Sequence, residues 1–256
     1  MRAVVAIVRG MVLELFRRKD FYVFLIFMLV LLGILSSQTF FHIEGISRYM
    51  RDFGYTLVML FSFILAVTFT AKQVPSEIEA RTIYPLLAKP ISRFTFIFSK
   101  FFGGVAISVI SFVLFFASFI LFCLGEGQKL SPVLVAQSFF LGMLFFCMVC
   151  SMVVFFSVFM TMSANIAVSF LLYFYVINFS GPLRDAVISA KGFVAAMLGT
   201  FYYLLPHFDF FDMRIRITHA WDPLAGWVVA AITVYTAVYC LLLLYLAAMI
   251  FRRKKL

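Results

Sequence analysis

An all-α integral membrane protein is the fold class this sequence predicts, and three observations predict it. Hydrophobic residues make up 65% of the chain and charged residues only 12%. No soluble domain of 256 residues can hide that much apolar surface from water. The apolar residues also gather into runs of about 20, the length that crosses a bilayer as a helix. Finally, the basic residues collect between alternate runs, which gives the chain two unlike faces.

Residues 1–20 alternate apolar pairs such as Val4, Val5, Ile7, Val8, Val12 and Leu13 with Arg2, Arg9, Arg17, Arg18 and Lys19. They are expected to form an interfacial (elbow) helix that lies along the cytoplasmic interface before the first span. A plain extension of that span is the other reading. Six transmembrane helices are then expected, near 21–40, 54–73, 97–124, 132–161, 165–181 and 224–250. The first run continues for a full span with no small-residue cleavage site, so no cleavable leader is expected. Gly125–Ser131 reads as an outer turn and Thr161–Asn165 as an inner one. Gly103 and Gly104 read as positions of close helix packing.

With both termini cytoplasmic, the inner segments carry 14 of the 21 basic residues and 4 of the 11 acidic ones. That is the asymmetry expected of a multi-pass protein of a bacterial-type inner membrane. The surplus also suits anionic lipid headgroups. No basic patch carries interleaved aromatics on a soluble face, which excludes a nucleic-acid partner.

The segment 74–94 is a charged, proline-punctuated island between spans two and three. Burying Glu77, Glu79, Arg81, Lys89 and Arg93 at mid-bilayer would cost roughly 2.5–3.5 kcal/mol each, so the island lies outside the hydrocarbon. Ser76-Glu77-Ile78-Glu79 reads as a capping box that starts a short helix ending near Tyr84, before Pro85. Its apolar residues Ile78, Ile83, Leu86 and Leu87 could fill a partner's groove. Glu77, Glu79 and Arg81 would set the register there.

The segment 182–223 is read as outer re-entrant or interfacial helices, because its apolar patch Gly192–Leu205 is short for a span. Tyr202, Tyr203, Phe208, Phe210, Phe211 and Trp221 are expected at the headgroup level. His207, Asp209, Asp212 and His219 are metal-ligand types there, but their spacing matches no standard site, and loop hydrogen bonding is the preferred reading. Cys147-Met148-Val149-Cys150 lies inside the fourth span and reads as packing, because a bilayer interior disfavours thiolates. The spans hold few polar groups. Ser62, Thr68, Thr70, Ser108, Ser111, Ser118, Ser138, Ser151, Ser157, Ser169 and Asn178 are the candidates, and helix–helix hydrogen bonding explains most of them. A lipid-like or amphiphilic cargo suits such a lining better than a hydrophilic one.

The run Glu-Ile-Glu-x-Arg-Thr-Ile (77–83), then Leu-Leu-Ala-Lys-Pro-Ile-Ser-Arg (86–93), then Phe-x-x-x-Lys-Phe (96–101) resembles the segment between spans two and three of ABC-2-type transporter permeases. The six spans, Leu204-Leu205-Pro206 before the last span and the basic tail agree with it. The resemblance implies a single permease domain over 1–256, with a cytoplasmic coupling helix that docks on a separate ABC ATPase subunit. It assigns ATPase coupling to Glu77, Ile78, Glu79, Arg81, Thr82, Ile83, Leu86, Leu87, Lys89, Pro90 and Arg93. It also implies a second permease copy, identical or closely related.

The chain itself carries no phosphate-binding loop; Gly125-Glu-Gly-Gln-Lys-Leu-Ser has the wrong spacing. No enzyme activity and no cofactor are therefore expected in it, and ATP with Mg belongs to the partner. Two alternatives stay open. One is a mechanical transmitter that acts on a periplasmic protein, and the other is a membrane-embedded enzyme built on the 207–219 cluster.

Overall fold

Helices account for nearly every described residue of the computed structural model, which covers 2–37, 46–79, 93–128, 130–190 and 192–253. In order they are α1 (Arg2–Arg17), α2 (Lys19–Ser37), α3 (Ile46–Glu79), α4 (Arg93–Gly125), α5 (Pro132–Ser157) and α6 (Met162–Ser189). There follow α7 (Gly192–Leu204), a 3-10 helix (Phe208–Phe211), α8 (Arg214–His219) and α9 (Gly226–Arg253). No strand occurs among the described residues.

Among those residues, four helical stretches are long and apolar enough to cross a membrane: Arg48–Glu77, Arg93–Gly125, Pro132–Ser157 and Gly226–Arg253. Two shorter apolar helices, Phe21–Leu35 and Met162–Tyr175, stand where the first and fifth spans are expected. The protein is a multi-pass membrane protein.

The helices pack around α3, α4 and α5. Phe63, Phe112, Phe115, Phe119, Phe145 and Phe146 are fully buried between them. Many of these rings meet edge-on or tilted, as Phe145 does with Phe146 at 5.1 Å, the arrangement aromatic quadrupoles favour. Small residues bring the backbones together. A methyl group on Gly104 would stand 2.6 Å from Thr70 Oγ1, and one on Gly142 would stand 2.4 Å from the Phe112 ring. α9 packs on α5 and α4, and much of its remaining surface is exposed and apolar.

The chain ends its helices by recognisable devices. At the end of α4, Gly127 takes a left-handed φ of 68°. Gly127 N–H then donates to Leu124 O at 3.0 Å, and Gln128 N–H donates to Cys123 O at 3.0 Å. This pair satisfies two of the carbonyls a helix end leaves open. Arg18 separates α1 from α2, so α1 is its own helix rather than an extension of the next. One side of α1 buries Met11 and Leu15, while Leu13, Glu14 and Phe16 stay exposed.

Four expectations need correction. α3 continues through Pro75 to Glu79, so Ser76 lies within its last turns and caps no new helix. Proline lacks an N–H and disfavours the α region only for the residue before it, which leaves the turn beyond it free to remain helical. At the fifth span, α6 likewise continues past Pro182 to Ser189, so residues 182–189 are part of that helix and not a separate element.

The third correction concerns the outer aromatics. Phe208 and Phe211 are only 3% and 1% exposed, whereas Phe210 is 47% exposed and Trp221 is exposed too. A 3-10 turn repeats every three residues, which points Phe208 and Phe211 to the same, inner side.

The fourth concerns the hydroxyls. Ser108, Ser111 and Ser138 donate to Gly104 O, Ile107 O and Leu134 O, each one turn back in its own helix. Ser151 and Ser157 donate three residues back. In an apolar medium this local bond is the nearest available partner, although Ser108 Oγ also lies 3.2 Å and Thr70 Oγ1 3.8 Å from Cys150 Sγ of α5, which ties α3 and α4 to that helix. Asn165 also crosses between helices: its Nδ2 donates to Val153 O of α5 at 3.0 Å.

Candidate functional site

Four helix ends converge at one pole of the bundle: the C-termini of α1, α3 and α9 and the N-terminus of α4. Their charged residues pair with each other. Lys100 of α4 donates to Glu77 Oε1 of α3, and the Lys100 Nζ also lies 5.4 Å from the Phe96 ring centre. Lys72 of α3 donates to Glu14 Oε1 of α1. Arg18 lies 3.6 Å from the same carboxylate, and both cations sit over Phe69, at 4.9 Å and 5.4 Å.

Arg93, the first residue of α4, closes the remaining side. Its Nη1 donates to Phe251 O at 3.1 Å and to Arg252 O at 3.0 Å. These are carbonyls of the last turn of α9, where the helix dipole is negative and a cation is favoured. Beneath the guanidinium, Phe251 stacks on Phe96 at 5.5 Å, and both rings are buried.

Of the residues expected to couple to an ATPase, Glu77 and Arg93 thus lie at the two edges of the segment, each held against a neighbouring helix. Ile78 and Glu79 belong to the last turn of α3, and their side chains lie outside the described residues. So do Arg81, Thr82, Ile83, Leu86, Leu87, Lys89 and Pro90 in full.

At the opposite end of α3, the segment 206–223 is tied to the bundle. Arg214 Nε lies 3.5 Å from Asp52 Oδ1 and 4.0 Å from Asp212 Oδ2. Arg214 N–H donates to Asp212 Oδ1 at 2.9 Å. Phe208 and Phe211 then enter the core, 5.4 Å and 6.1 Å from the Phe145 ring centre. Phe145 lies midway along α5, so the segment dips toward the middle of that helix.

Sequence reasoning missed Gln137, which makes two bonds to one backbone residue. Its Nε2 donates to Leu224 O at 2.8 Å, and its Oε1 accepts from Leu224 N–H at 2.9 Å. A glutamine just inside an otherwise apolar span was the available signal. His207 sits among Tyr202, Phe210 and Tyr235, and His219 Nδ1 lies 3.2 Å from Ile215 O. Among the described residues, no three His, Cys, Asp or Glu side chains come together to hold a metal.

The model of the family described as ABC-2 family transporter protein matches residues 17–256. No curated protein matches the chain.

Proposed function

The chain belongs to the ABC-2 transporter family, and from that premise we propose that it works as a six-span permease half driven through the segment 74–94. Membership makes it the membrane permease component of an ABC transporter. Our reading adds a separate ATPase subunit that supplies ATP and Mg, and a second permease copy across a central pathway. It also places both termini on the cytoplasmic side of a bacterial-type inner membrane. α2 and α6 would supply the first and fifth spans, and α1 would lie in the cytoplasmic interface, with Leu13 and Phe16 exposed toward lipid.

One observation supports this reading above the others. The two helix ends that flank residues 80–92 are joined by Lys100 and Glu77, and α4 is joined to α9 by Arg93. A displacement of the intervening segment would move α3, α4 and α9 together, as a lever needs. Ligand or lipid must then bind the two resulting states unequally for net work to follow. The buried hydroxyls are mostly satisfied within their own helices. That leaves few polar groups to solvate a hydrophilic cargo and favours an amphiphilic one.

The test is purification of the tagged chain in mild detergent, with mass spectrometry and an ATPase assay. A stoichiometric ATPase that is lost on replacing Ile83, Leu86 and Leu87 by Ser supports the reading. An ATPase that stays bound through that change removes residues 80–92 as its docking site.

A further inference from the structure

At the charged pole, α4 and α9 leave an open groove of about 850 Å³. Its polar rim is Arg93, Arg252 and Arg253, and its apolar wall includes Phe94, Tyr245 and Met249. Among the described residues, no acidic side chain lines it. We propose that this groove binds one anionic phospholipid, with the phosphate held by Arg252 and Arg253 and the acyl chains lying along α9.

Three features of the groove carry the proposal. The first is charge. Arg252 and Arg253 are exposed at the end of the helix, and guanidinium pairs with phosphate through parallel hydrogen bonds.

The second is the continuity of head and tail. Val238, Leu242, Tyr245 and Met249 recur at helical spacing along α9, and all four are exposed. The resulting stripe ends at Arg252 and Arg253. An apolar track terminated by cations matches an amphiphile with an anionic head, and it exceeds what a free anion would use.

The third is the role of Arg93. A helix C-terminus carries partial negative charge and repels anions. Arg93 donates to the carbonyls of Phe251 and Arg252, which cancels that repulsion where the phosphate would sit. Arg93 is thus a positioning residue, and the outer pair makes the contact.

Assignment to the inner leaflet rests on the orientation proposed above, while the lipid contact itself does not. The purified chain is titrated in non-ionic detergent with phosphatidylglycerol or phosphatidylcholine, and bound lipid is counted by native mass spectrometry. Phosphatidylglycerol should be retained and phosphatidylcholine lost. Arg252→Gln with Arg253→Gln should weaken phosphatidylglycerol by about fivefold per guanidinium, roughly 25-fold together.

Tyr245→Ser with Met249→Ser, which keeps every charge, should weaken it as well. Equal retention of the two lipids overturns the proposal, as does an unchanged affinity in either double variant. Displacement by excess inorganic phosphate, with the Tyr245/Met249 variant unaffected, would mark a free-anion site and also overturn it. Labelling of Arg253→Cys in intact cells by a membrane-impermeant maleimide checks the orientation separately. Labelling there removes the inner-leaflet assignment and leaves the mass spectra to decide the contact.

Discussion

Lys100 of α4 sets its ammonium against the Glu77 carboxylate of α3, so the helix ends that flank residues 80–92 are fastened to each other. The side chains are 5% and 23% exposed. Charges this poorly hydrated depend on their partner, and removal of one takes away the opposite charge that the other faces.

That dependence predicts a coupled pair. Glu77→Gln or Lys100→Met alone should lower stability by about 2 kcal/mol, the scale of a hydrogen bond to a charged group. The double variant should cost clearly less than the sum of the two. Thermal unfolding in detergent, followed by reaction of the buried cysteines with a thiol dye, measures all three. Strictly additive losses would mean that the contact contributes nothing.

A charge swap separates two roles for Glu77 in coupling. Glu77→Lys places two ammonium groups together and should uncouple ATP hydrolysis in the assembled complex. Adding Lys100→Glu restores an opposite-charge pair and should recover coupling if the joint between α3 and α4 is what matters. No recovery, with normal assembly and stability, would assign Glu77 to direct contact with the ATPase.

Phe211 and Phe210 are neighbours with opposite fates, and the contrast is measurable. Phe211→Ala removes a ring packed against Phe145 and should destabilise by about 3 kcal/mol. Phe210 is exposed, stacks on His207 and meets Tyr235 edge-on, so Phe210→Ala should cost under about 1 kcal/mol. Equal losses would show that the 3-10 helix does not seat Phe211 in the core.

These residues also mark what the sequence could reveal. Apolar runs near span length located the four long apolar stretches and the two shorter apolar helices to within a few residues at most ends. Hydrophobicity along a run reports only on water, and in a membrane protein both the core and the lipid-facing surface are apolar. The inward turn of Phe208 and Phe211 was therefore hidden, because an aromatic cluster beside charges reads equally as a headgroup belt. The continuation of α3 past Pro75 was hidden for a different reason. Ser-Glu-Ile-Glu is a good helix start in isolation, and no local pattern shows that Glu77 meets Lys100 of α4, 23 residues on. The ties of Arg93 to α9 and of Gln137 to Leu224 span 158 and 87 positions, beyond the reach of any local pattern. Gly103 and Gly104, by contrast, were legible as close-packing positions, since small residues let membrane helices approach.

Those two adjacent glycines should nevertheless behave differently when replaced. A methyl at Gly103 would meet the Met11 thioether of α1 at 2.3 Å, and a Met side chain has three rotatable bonds with which to move aside. A methyl at Gly104 would meet Thr70 Oγ1 at 2.6 Å and Cγ2 at 3.1 Å. Thr70 is β-branched, fully buried and held stiffly at χ1, so α3 and α4 themselves must separate. Gly104→Ala should cost about 1–3 kcal/mol, the range for overpacking, and Gly103→Ala less than half of that. Thr70→Ala removes both clashing atoms and should restore most of the loss in Gly104→Ala, measured by the same thermal unfolding. Failure of that rescue would place the tight contact between α3 and α4 elsewhere than at this pair.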